Sequence, residues 1–185
     1  MDHSSILVIW IDVGLGALKC DRCELAAPQT GQVAGTSRFL PRAKLNFSDA
    51  RYTSLFLDTV ARVPRSGLPI QSVTMVRLRK RGNLPGLVGL TTYFLQEYQT
   101  KQKRDAQPSC SHVITFYSRL LNRLSDDAVV AVMAHELGHA WLNEHVGPEA
   151  SAQREEDADI LAEMWGFGPQ LGALDDQTEP LRGWG

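Results

Sequence analysis

Between Val129 and His145 the chain reads VVAVMAHELGHAWLNEH, an apolar, helix-forming run that carries two histidines and a glutamate in its middle. His135-Glu136-Leu137-Gly138-His139 is an HExxH pattern. Residues four apart lie about 40° apart around a helix, so both imidazoles can point at one ion from the same face. Glu136, beside the first imidazole, is placed to act as a base on water activated by that ion. Five residues can match by chance, so the surroundings decide what the pattern means.

The 185 residues make one domain's worth of chain, enough to bury a core, and 43% hydrophobic with 22% charged residues is the composition of a globular protein. A net charge of −2 with no dense basic patch argues against nucleic acid as a partner; Arg77-Leu78-Arg79-Lys80-Arg81 reads as a solvated strand end. Three cysteines, Cys20, Cys23 and Cys110, make no disulfide framework and fit a reducing compartment. The apolar run from Ile6 to Leu18 lacks a preceding Lys or Arg, is interrupted by Asp12, and is too short to span a bilayer. The expectation is a cytoplasmic protein with no membrane partner. Oligomeric state is not legible.

Taken in order, residues 1–46 read as an N-terminal segment: a β-rich run from Ile6 to Val13, the pair Cys20-x-x-Cys23, and a Gly/Pro/Ser/Thr-rich linker over 24–45. Half a zinc-knuckle pattern cannot supply four ligands, so the CxxC is read as unremarkable thiols or the remnant of a zinc module. Residues 47–168 form the expected catalytic domain. Ser48 or Asp49 caps a helix with Tyr52, Leu55, Phe56, Thr59 and Val60 at helical spacing, ending before Pro64. Ile70–Leu78, Leu87–Tyr98 and His112–Tyr117 have strand composition, with 99–111 a polar loop. Ser125-Asp126-Asp127 opens the central helix, which stops at Gly147-Pro148; a second helix follows to Trp165, ended by Gly166 and Gly168. Residues 169–185 read as a loop-like C-terminal tail. Helix, strands, helix, helix is an α+β order.

A catalytic zinc takes three protein ligands and leaves one position open. His145, six residues after His139, matches a metzincin spacing, but that arrangement needs Gly where Leu142 stands, because the helix must end there in a left-handed turn. Glu155 is the stronger candidate. Residues 155, 158, 159, 162 and 165 share one face of the second helix, and Glu155 and Asp159 on an otherwise small and apolar stripe need partners. A metal for Glu155 and an imidazole N–H for Asp159 would supply them.

HExxH followed by Glu155-x-x-Ala158-Asp159 resembles the gluzincin class of zinc metallopeptidases. MAHELGHAWLNEH and REEDADILAEMW are similar to the C-terminal peptidase domain of the plant LIM-domain peptidases that limit organ size, and to their small, minigluzincin-like bacterial relatives. The resemblance covers about residues 47–168 and implies a zincin-like α+β fold: a small mixed or antiparallel sheet, a backing helix, an active-site helix and a glutamate helix. It implies a zinc-dependent endopeptidase acting on proteins or peptides, with His135, His139 and Glu155 as ligands, Glu136 as general base and acid, and Asp159 behind a ligand. The LIM module is reduced to Cys20-x-x-Cys23, so its ubiquitin-linked regulation does not transfer. No His or Tyr follows Glu155 to stabilise an oxyanion; Tyr93, Tyr117 or a backbone N–H is left for that role. An extended substrate is expected along a strand edge at Gly89, Leu90 and Thr91. The alternative is a partner-specific regulator like the ImmA/IrrE group, whose members act on transcriptional repressors.

Overall fold

The computed structural model describes residues 38–64, 69–80, 88–96, 109–147 and 152–182, so Ile6–Val13, Cys20, Cys23 and most of the 99–111 loop lie outside the described residues. Strand β1 (Lys44–Asn46) is followed by helix α1 (Ala50–Arg62), β2 (Val73–Arg79), β3 (Gly89–Gln96) and β4 (Ser109–Tyr117). After a short α2 (Ser118–Leu121) come α3 (Asp126–His145), α4 (Ala152–Ala162), a π-helical segment Glu163–Phe167, and α5 (Gly168–Arg182). The architecture is mixed α+β, consistent with a zincin-like fold.

Local chemistry sets these elements. Asp49 accepts a hydrogen bond from the Arg51 backbone N–H and starts α1, which turns Tyr52, Phe56, Thr59 and Val60 inward and ends before Pro64. Ser125 caps α3 by accepting from the Ala128 N–H, with Asp126 and Asp127 in the positive first turn. The four strands lie in the order β1-β2-β4-β3. β1 and β4 both run parallel to β2, while β3 pairs antiparallel with β4, in the register Thr91 to Ile114. Among the described residues β3 is therefore an edge strand.

α3 is buried around almost its whole circumference from Ala128 to Ala140, which a helix tolerates only when other elements cover every side. β3 and β4 meet one side, α1 another, and α4 and α5 the remainder. Phe47, Phe56 and Phe116 form an aromatic cluster between α1 and the sheet, with ring centroids 5.6 to 6.3 Å apart.

The structure differs from the sequence reading at both ends. The linker expected through residue 45 is not all linker: Phe39, Leu40 and Ala43 are buried in the core and Lys44–Asn46 form β1. The tail expected to be loop-like from Pro169 is α5, which seats Leu174 and Thr178 inward and packs on α3. Pro169 lies in the first turn, where the missing N–H costs nothing. Gly166, at φ +90°, redirects the chain without ending the helical stretch, and Arg62 pins the bend by donating to the Gly166 carbonyl at 3.1 Å while lying over the Phe167 ring. Cys110 and Ser111, expected in a loop, belong to β4.

Candidate active site

α3 brings His135 and His139 together with ring centroids 4.5 Å apart and their Nε2 atoms 2.8 Å apart. α4 supplies Glu155, whose Oε2 lies 3.3 Å from His135 Nε2 and whose Oε1 lies 3.5 Å from His139 Nε2. One ligand-capable atom from each of the three residues falls within 4.8 Å of the others. His135 Nδ1 is 2.7 Å from Asp159 Oδ1, so that nitrogen carries the proton and the Nε2 lone pair points into the cluster.

This donor set fits a zinc ion. Tetrahedral zinc, with ligands at about 2.0–2.2 Å, holds donor atoms roughly 3.3 Å apart, which is the scale of the three separations here. Inward lone pairs and a carboxylate also leave a need for positive charge: Glu155 Oε2 is buried and makes no hydrogen bond despite its nearness to His135. The pKa directions agree. Burial disfavours charge on His135, yet the hydrogen bond to Asp159 and the nearby Glu155 and Glu136 carboxylates raise it to about 9. Burial opposes the Glu155 carboxylate, but its closeness to the two imidazoles brings it down to about 2. A cation is what the assembled groups favour.

Two glycines make the assembly sterically possible. A Cβ at Gly138 would lie 3.0 Å from the Ala158 carbonyl oxygen and 3.3 Å from its Cα, so the bare Gly138 backbone is what lets α4 lie against α3. Ala158 at this contact and Ala162 one turn on are fully buried. A Cβ at Gly89 would collide with Glu136 Oε1 and lie 2.8 Å from Cγ. β3 thus roofs the carboxylate.

Glu136 is 2% exposed and turned toward that roof. Thr91 places its hydroxyl 2.7 Å from Glu136 Oε2. Burial pushes the Glu136 carboxyl up; the two imidazoles and the Thr91 hydroxyl pull against it. A carboxylate raised toward neutrality is better matched to proton transfer than a solvated one. Gly89 and Thr91 face α3 by strand alternation, and half-buried Leu90 points to the opposite face. The substrate-strand expectation had left out Thr91's contact with Glu136; the inward Gly-x-Thr alternation was its only sequence signal.

His145 stands apart from the cluster. Its Nδ1 is 2.8 Å from the Trp141 carbonyl oxygen, and its ring stacks on Trp141 at 4.5 Å. Tyr117 is buried, which raises its phenol, and it lies near enough to Glu136 for the carboxylate to add to that rise. Asp159 is half-exposed beside His135 Nδ1.

Neither the comparison with curated proteins nor that with solved structures gave a match. The model of peptidase family M48 matches residues 108–173, the stretch that runs from β4 through α3 and α4 into α5 and contains every member of the cluster, and this similarity supports a metal-dependent, zinc-type metallopeptidase.

Proposed function

We propose that this chain is a zinc-dependent endopeptidase of the gluzincin type, in which His135, His139 and Glu155 hold the metal and Glu136 is the general base and acid. The observation that carries the reading is the meeting of two imidazole nitrogens from α3 and a carboxylate from α4 beside a buried glutamate roofed by an edge strand. A zinc ion held by those three residues supplies Lewis acidity, polarising a peptide carbonyl and acidifying water. Glu136 removes a proton from the attacking water and delivers it to the departing amine nitrogen, so the carboxylate ends the cycle as it began. Asp159 keeps the His135 proton on Nδ1 and its lone pair inward.

The substrate is a protein or peptide in extended conformation. Among the described residues nothing pairs with the outer edge of β3, and main-chain hydrogen bonds there would align a strand over Glu136. The test is metal content and cleavage together. Glu136→Gln retains about one zinc per chain and loses hydrolysis of a peptide library, whereas His135→Ala and Glu155→Ala lose both. A Glu136→Gln protein that cleaves as well as the parent, or a His145→Ala protein that alone loses zinc, overturns the assignment.

A further inference from the structure

A histidine that ligates a metal donates its outer ring N–H to a fixed acceptor, which holds the tautomer and the ring. The two imidazoles of this cluster are unequal in that respect. His135 has Asp159 at 2.7 Å; His139 Nδ1 is buried and has no hydrogen-bond partner among the described residues. One turn further along α3, Asn143 is 4% exposed, and neither its amide nitrogen nor its amide oxygen has a partner among the described residues. Orphaned buried polar atoms are costly, so their coincidence on successive turns calls for an explanation.

Four carboxylates on α3 and α4 have other partners. Both Glu155 oxygens face the Nε2 atoms, Asp159 is bonded to His135, and Glu136 is turned to Thr91. Glu144 accepts from Gln71 and Ser72, outside the cluster. Asn143 stands at i+4 from His139, where helix side chains have Cβ atoms about 5–6 Å apart. Helical side chains lean toward the N-terminus, which carries the Asn143 amide back over the His139 turn.

We propose that Asn143 is a positioning residue for the metal centre: with the metal bound, its Oδ1 accepts the Nδ1–H of His139 and holds the Nε2 lone pair inward. This rests on the proposed function above, and it makes the centre asymmetric. One ligand imidazole is polarised by a carboxylate and the other by a neutral amide.

The experiment is zinc affinity, read by competition with a chromophoric chelator, for the parent, Asn143→Leu and Asn143→Asp, beside thermal unfolding of the metal-free proteins. Leucine has the same number and branching of side-chain heavy atoms and removes the orphaned amide, so the metal-free Asn143→Leu protein melts no lower than the parent. Its zinc dissociation constant rises roughly 10–100-fold. Asn143→Asp keeps the acceptor and binds zinc within a few-fold of the parent. An Asn143→Leu protein that binds zinc within twofold of the parent overturns the proposal while leaving the peptidase reading intact. A folded parent that binds no zinc overturns both. Should the leucine variant fail to fold, Asn143→Ala, which adds no bulk, carries the same comparison.

Discussion

The Thr91 hydroxyl lies 2.7 Å from Oε2 of Glu136 and 3.0 Å from the backbone carbonyl of the same residue. A hydroxyl has one proton to give, and the ionised carboxylate is the stronger acceptor. Together with the Gly89 backbone on the other oxygen's side, this fixes the Glu136 carboxylate between strand and helix. Thr91→Val preserves shape and removes the donor. Because a hydrogen bond to a charged group contributes about 1.5–3 kcal/mol, turnover is expected to fall roughly 10–100-fold with zinc content unchanged, and Thr91→Ser to recover most of it. Steady-state kinetics on a fluorogenic peptide decides: an unchanged kcat in the valine variant contradicts the role.

Gly138 tests the two-helix geometry. Glu155, the proposed third ligand, comes from a separate helix, so the cluster depends on how near α4 can lie to α3. A methyl group at Gly138 would press on the Ala158 carbonyl at 3.0 Å, which is backbone and cannot swing aside. Gly138→Ala therefore moves Glu155 relative to the imidazoles, although alanine is the better helix former by about 1 kcal/mol. Weaker zinc binding is the expected outcome, with overpacking costing about 1–3 kcal/mol of stability. A variant that is more stable and binds zinc like the parent would show that the close approach is not needed.

The parts of the site carried by local pattern were legible in the sequence. HExxH and Glu155-x-x-Ala158-Asp159 follow helix periodicity, and Asp49 and Ser125 announce helix starts by capping chemistry. Pairings between distant segments were not. Thr91 and Glu136 are 45 residues apart, and nothing local to Thr91 says what lies beneath its strand. β1 is three residues long and held by backbone pairing to β2, so its side chains carry little of its signal. α5 was hidden by Pro169, Gly168 and Gly172, which read as loop punctuation; its inward positions are few because it packs on an already buried helix. The Asn143 orphan is legible only in three dimensions.

Asp159→Asn tests the carboxylate behind His135. The asparagine can still accept from Nδ1–H through its oxygen but gives up the negative charge that helps raise His135 to about 9. Zinc affinity is expected to fall by roughly tenfold, and further in Asp159→Ala, where no acceptor remains. Isothermal titration of both variants checks the order. Equal affinities for parent, Asn and Ala would mean that His135 is oriented by packing alone.

Acid sensitivity should trace to His112, away from the cluster. Ser72 Oγ donates to Glu144 Oε2 at 2.6 Å and accepts from His112 Nδ1–H at 2.7 Å, tying β2, β4 and the end of α3 together. Burial lowers the His112 pKa to about 4, with the Glu144 charge only partly opposing. The unfolded chain takes up this proton near 6.5 and the folded chain only near 4, so stability is fully present above 6.5 and is lost as pH falls through that window. The loss is about 2–3 kcal/mol between pH 6.5 and 4.5. Measured without metal, the raised His135 stabilises fully below 6.5 and loses that contribution as pH rises toward 9, so the pH 7.5 point carries a slope of opposite sign that the comparison with His112→Gln removes. The depressed Glu144 and Glu155 contribute losses only as pH falls below the ordinary carboxylate value near 4.5. Glu136, raised by burial, works in the opposite direction, so the comparison is made against His112→Gln and not on the absolute slope. Urea unfolding in chelator at pH 7.5, 6 and 5 should give a steeper loss for the parent than for His112→Gln. Parallel slopes would assign the acid sensitivity to another group.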